Sequence, residues 1–213
     1  MKSKHILRLL SLCIMSYALC ITVASCSKNE EEAGEYDNWQ ARNQAYVDSI
    51  ANLAKQGLNG WTRARVYYYS QPYADTHTED NNIYVYLQKI SSGGGTVCPL
   101  YSDTVRVQYR GRLIPSKSYP YGKVFGQSFW EDKIEEINEN TAVPTLLAVD
   151  ENVPGFCQAL QNMYEGDIYH IVIPYAIGYG SNSTVSSIPD YSTLIFDTKL
   201  VKLYKRGENK TWR

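Results

Sequence analysis

The chain has 213 residues, with 21 Lys and Arg against 22 Asp and Glu, a formal charge of −1. That length suits one domain with an appendage. The balance of charge offers no basic face, which argues against a nucleic-acid partner.

Lys2, Lys4 and Arg8 lie at the start of an apolar run over 6–23 that ends in Ala24 and Ser25. This reads as a secretory signal peptide over 1–25. A membrane-spanning anchor fits less well, because Arg8, Ser11 and Ser16 interrupt the run and a charged stretch follows at once. The ending "TVASC" resembles a bacterial lipobox. The resemblance implies that Cys26 is lipidated and that acyl chains hold the protein to the outer membrane of a bacterial cell envelope, periplasmic or surface-exposed. Segment 26–36, "CSKNEEEAGEY", cannot bury a core and reads as a flexible tether. Its acidic run also resembles the surface-export signals of Bacteroidetes lipoproteins, while a solvated linker would carry the same charges. Without residues 1–25, 18 Lys and Arg face 22 Asp and Glu, a formal charge of −4.

Over 37–56 the apolar residues Trp39, Tyr46, Ile50 and Leu53 fall on one helical stripe, with the polar Arg42, Asn43, Asp48 and Lys55 elsewhere, and Gly57 and Gly60 close the segment. This helix, with its stop at 37–60, either packs on its own domain or serves as a dimerisation arm; the sequence leaves the oligomeric state open. Segment 61–82 is a Tyr-rich connection, with a short strand expected at 65–69 and an exposed loop after it. A strand is expected at 83–90, followed by a hinge at "SSGGG".

The remainder reads as β. In "VRVQYRG", Val105, Val107 and Tyr109 alternate with Arg106, Gln108 and Arg110, the pattern of a half-buried antiparallel strand. "DIYHIVIP" is a second such run. "LIFDTKLVKLY" is a third, with Leu194, Phe196, Thr198 and Leu200 on one face. Between them "PGFCQALQNMYEG" reads as a short helix opened at Pro154 or Gly155, with Phe156, Leu160 and Met163 stacked and Gly166 as its stop. The fold class expected is α+β, a short helix laid on one face of an antiparallel sheet. Cys98 and Cys157 read as free buried thiols, with a disulfide as the alternative. Two cysteines with His77 and His170 scattered make a zinc site a poor fit.

The order of motifs resembles the FKBP-type peptidyl-prolyl isomerases over 83–204. "VRVQYRGRL" resembles that family's V-x-V-x-Y-x-G-x-L strand, and "KVFGQSF" its x-x-F-D-S-S segment. "VPGFCQALQNMYEGD" resembles its V-I-x-G-W-x-x-A-L-x-x-M-x-x-G helix. "IPYAIGYG", "SSIP" and "TLIFDTKLVKL" resemble its last three motifs. The resemblance implies a curved antiparallel sheet wrapped on one short helix, an FKBP-like domain over 83–206, and a pocket that binds proline-containing peptide or protein segments. Matched residue by residue, the pocket would be Tyr109, Phe125, Val153, Phe156 as its floor, Tyr179, Ile188 and Phe196. Val143 would stand where the family often has an aromatic wall. Gly126 replaces the family's usual Asp, Phe156 its usual Trp, and "IPSKSYPYGKV" lengthens a hairpin near the pocket. The implied activity is prolyl isomerisation without a cofactor. The alternative is a non-catalytic module that binds a peptide or protein on the cell envelope.

Overall fold

The computed structural model describes residues 34–67, 80–138 and 142–210. The expected signal segment, Cys26, most of the tether, His77 and most of the exposed loop lie outside the described residues. From Glu35 onward the chain forms one unit.

Helix α1 spans Trp39–Lys55 and is stopped by Gly57, whose φ of 63° belongs to the left-handed region glycine favours. Its buried face consists of Trp39, Asn43, Val47, Ile50 and Ala51. Tyr46 and Leu53 are half-buried at its margin. The stripe is therefore turned toward Val47, and it includes a polar residue that the helical pattern set aside. Burying Val47 and Ile50 contributes roughly 1.5–3 kcal/mol each. The covering surface is this chain's own sheet, as the own-domain reading of α1 expects.

Among the described residues, seven strands form one antiparallel sheet: β1 (Trp61–Arg65), β2 (Tyr84–Ser91), β3 (Thr104–Arg112), β4 (Val124–Gln127), β5 (Thr145–Ala148), β6 (Ile168–Ile173) and β7 (Leu194–Tyr204). Their order is β1-β2-β6-β7-β3-β4, with β5 also paired to β3. Helix α2 spans Pro154–Leu160, with Pro154 in its first turn.

Cross-strand register sorts the side chains by face. Ile171, Phe196 and Gly111 stand in line on one face, and His170, Asp197 and Arg110 on the other. Helix α2 lies on the first face, where the Phe156 ring meets Phe196. Helix α1 lies against β1 and β2, with Tyr46 close to Arg112 and Asp197 of the second face. The sheet is thus covered on both sides. That explains the near-continuous burial of β6 and of the first half of β7, including Val172 and Ile195.

Three expectations are corrected. The first strand is Trp61–Arg65, not 65–69. It pairs with β2 from Trp61↔Gln88 to Arg65↔Tyr84, and Trp61 is buried at its start. Strand β3 is buried on both faces rather than one. It is an interior strand, flanked by β7 on one edge and by β4 and β5 on the other. Arg106 is only 7% exposed and lays its guanidinium over the Tyr204 ring at 5.4 Å. The expected "SSGGG" hinge is a fixed chain crossing. Gly95 N–H donates to Glu165 O at 3.2 Å, and Gly93 N–H donates to Asp167 Oδ1 at 3.0 Å. A Cβ on Gly93 would collide with the Gly166 backbone, so close approach, not freedom of motion, calls for glycine there.

Candidate functional site

A cavity of about 240 Å³ opens between the inner face of the sheet and helix α2. Its inner wall is aromatic. Phe196 of β7 sits at the centre, with its ring centroid 4.6 Å from Phe156, 5.5 Å from Phe125 and 6.2 Å from Tyr109. These rings meet because Gly111 lies beneath them. A Cβ at Gly111 would come within 2.5 Å of Phe125 and 2.8 Å of Phe196.

Local sequence explains how each group is held. Val153 caps α2 in an extended conformation and Pro154 fixes the first turn, which directs Phe156 back toward the sheet. Gly155 lets the helix press on Ile173 and Ile177. Asn152 folds the preceding turn by donating from Nδ2 to Ala148 O at 2.7 Å. Beyond β6, "IPYAIGYG" leaves the sheet at Pro174, makes one 3₁₀ turn over Tyr175–Ile177, and presents Tyr179 at the rim, 37% exposed. Ile188 completes the wall from the loop before β7 and is 3% exposed.

Tyr109, Phe125, Val153, Phe156, Tyr179, Ile188 and Phe196 all line this one cavity. Val143 does not. It is 66% exposed and precedes β5. Leu147 takes the wall position instead, because its pairing with Val105 brings it to the inner face. Sequence reasoning also missed Asn152, Val185 and Ser187, which add to the lining. Only the Asn152 turn before the helix carried a sequence signal for position.

At Gly126 the cavity remains open. A Cβ there would lie 3.4 Å from Tyr109 Oη, ordinary contact. A second, larger groove of about 750 Å³ shares Asn152 and follows the other side of α2 past Pro154, Cys157 and Gln158. It lacks the convergent rings of the first.

The two thiols are free, Cys157 buried and Cys98 half-buried. Burial pushes the Cys157 thiol up from its ordinary pKa, and its Sγ faces Val149 O at 2.9 Å. This is an inert structural cysteine, not a nucleophile.

Comparison with known proteins agrees with this fold. Residues 97–201 match the FKBP-type peptidyl-prolyl cis-trans isomerase family. The chain is 34% identical over 125 residues to the macrophage infectivity potentiator of Trypanosoma cruzi, covering 59% of this chain and 56% of that one. It is 32% identical over 114 residues to an FKBP-type 22 kDa peptidyl-prolyl cis-trans isomerase of Escherichia coli, covering 54% and 47%. The chain spans about half the length of the curated relatives it matches. In fold it is similar to the crystal structure of FkpA from Escherichia coli, with a TM-score of 0.55 at 24% identity over 95% of this chain and 71% of that one. Residues 97–201 thus form a domain of the FKBP-type peptidyl-prolyl cis-trans isomerase family.

Proposed function

We propose that this protein binds X-Pro segments of envelope polypeptides in the 240 Å³ cavity and speeds their cis–trans isomerisation. The observation that carries the proposal is the convergence of Phe125, Phe156, Phe196, Val153 and Ile188 around one open space, with the Tyr179 hydroxyl at its rim.

Rotation about an X-Pro bond faces a barrier of roughly 20 kcal/mol from amide resonance. Uncatalysed exchange takes tens of seconds. No bond breaks, so no nucleophile or acid–base pair is needed. The protein has only to hold the twisted amide better than the planar one. Twisting uncouples the nitrogen from the carbonyl and lowers the amide's dipole, which a dry aromatic cavity favours. Apolar burial grips the pyrrolidine ring. An apolar cavity of about 150 Å³ accommodates benzene, so a five-membered ring fits here with room to turn. Tyr179 O–H donates to a substrate carbonyl and fixes the backbone beside the rotating bond.

The test is a proline-peptide isomerisation assay on residues 27–213. A rate above background that falls in Phe156→Ala and Tyr179→Phe supports the catalytic reading. No rate above background sinks it. A second reading, a non-catalytic binding module, draws on Gly126, which puts no side chain into the cavity, and on Phe156, which has no indole N–H. NMR titration with proline peptides separates the two: binding at the cavity without line-shape exchange between isomers favours the module.

The same proposal places the protein on the envelope by lipid on Cys26. Radiolabelled palmitate incorporated by the wild type and absent from Cys26→Ala supports the anchor; equal labelling of both refutes it.

A further inference from the structure

The family match begins at residue 97, yet the loop that closes the cavity is held from outside that match. Residues 181–193 contribute Val185, Ser187 and Ile188 to the lining. The root of this loop is clasped, with Tyr191 N–H donating to Gly180 O at 3.0 Å. Tyr191 has a φ of 59°. A tyrosine keeps that left-handed conformation only where its surroundings hold it.

Two residues of α1 supply the hold. Trp39 Nε1–H donates to Ser192 Oγ at 2.9 Å. Ser192 Oγ–H donates in turn to Pro189 O at 2.6 Å, and Pro189 directly follows the wall residue Ile188. Four residues behind Trp39, Asn43 donates from Nδ2 to Trp39 O at 2.7 Å and accepts from Thr193 N–H through Oδ1 at 2.7 Å. Trp39, Asn43, Ser192 and Thr193 are all buried, none more than 6% exposed.

Packing alone would not call for these groups. Val47, Ile50 and Ala51 already join α1 to the sheet. A buried amide and a buried indole N–H are tolerated only when bonded, and here both chains of bonds run to the loop before β7. We propose that Trp39 and Asn43 are positioning residues for the cavity. Trp39, acting through Ser192 and the Pro189 carbonyl, seats Ile188 in the wall, and α1 is part of the binding unit. This rests on the cavity being the proline site proposed above.

The test uses Trp39→Phe, which removes the N–H and keeps an aromatic ring, with Ser192→Ala and Ser192→Thr. Two readouts are taken on the full protein: KM and kcat with a proline tetrapeptide, and amide hydrogen exchange at Ile188 and Tyr191, whose N–H groups bond Val185 O and Gly180 O. Trp39→Phe raises KM about 2- to 12-fold, the effect of one neutral hydrogen bond, Ser192→Ala, which also removes the bond to Pro189 O, raises it at least as much, and both speed exchange at the two amides. The double variant is no worse than Ser192→Ala, because the two groups act in one chain. Ser192→Thr, which keeps the hydroxyl, restores KM to within about twofold. A fall in melting temperature with KM and both amides unchanged overturns the proposal and leaves α1 a packing helix. If the wild type does not isomerise the peptide, exchange still decides. Faster exchange upholds the bracing while the isomerase reading falls; unchanged exchange removes the bracing as well.

Discussion

Gly126 separates the catalytic from the binding reading. It lies in β4, it is not among the positive-φ glycines, and a Cβ there meets Tyr109 at 3.4–3.9 Å. Alanine therefore fits without displacing anything. The methyl restricts the unfolded chain, so Gly126→Ala stabilises by about 0.4–1 kcal/mol, which raises Tm by about 1–4 °C in a domain of this size. Aspartate adds a carboxylate beside the Tyr109 hydroxyl. A hydrogen bond to a charged acceptor contributes about 1.5–3 kcal/mol. If about 1.4 kcal/mol of such ordering acts on the twisted amide alone, kcat/KM rises tenfold. The assay is thermal melting of wild type, Gly126→Ala and Gly126→Asp, followed by proline-tetrapeptide isomerisation by NMR exchange. A loss of more than about 1 kcal/mol in the alanine variant would show that the space at Gly126 is not open. A stable aspartate variant whose kcat/KM stays within about twofold of wild type would refute the claim that the missing carboxylate limits turnover.

Three further outcomes follow from buried groups. Asn43→Ala leaves the Thr193 N–H without its acceptor in a site where Thr193 is fully buried; urea unfolding should show a loss of about 1–3 kcal/mol, and no loss would mean that water replaces the amide. Burial pushes the Asp197 carboxyl up, but the hydrogen bond and charge of His170, with Arg112 and Arg110, overcome it and hold the group below the usual carboxylate range. The unfolded chain then binds the extra proton first, so this contribution is complete above about pH 4 and fades as pH falls through the depressed value. The wild-type urea midpoint should drop over that acid interval, and Asp197→Asn should flatten the drop; identical slopes would remove Asp197 from the account. With an exposed-thiol reagent, Cys98 should be modified before Cys157, whose thiol is buried and raised in pKa; mass mapping that finds Cys157 first would contradict the packing of α2.

Much of the inner face could be read from the chain because strand period and motif order specify it. Val105, Val107 and Tyr109 face inward as their alternation requires, and Pro154 opens α2 as a punctuation residue does, but the helix ends at Leu160, well short of the Gly166 stop the sequence offers. The outer face was harder to read. Period two assigned Arg106 and Gln108 to solvent, but the burial of a strand's second face depends on a distant segment covering the sheet, and spacing within the strand does not report it. Asn43 was set aside as polar for the same kind of reason: its partners are a tryptophan carbonyl one turn back and a backbone N–H 150 residues away. Val143 and Leu147 differ through register. Which residue of a four-residue edge strand faces inward is fixed by its partner strand, and the Val105↔Leu147 pairing only appears once the sheet is assembled.

The sheet order also sets a timetable for folding. Strand β3 pairs along its whole length with the last strand, from Thr104↔Tyr204 to Arg112↔Ile195, while β4 and β5 reach only its ends. As the chain leaves the ribosome from its N-terminus, the central strand must wait for the C-terminal one, and α1 must wait for Ser192 and Thr193. Such non-local closure makes folding slow and leaves strand edges open meanwhile. A protein proposed to speed proline isomerisation in others therefore has an assembly of its own that stays incomplete until nearly the last residues of β7 emerge.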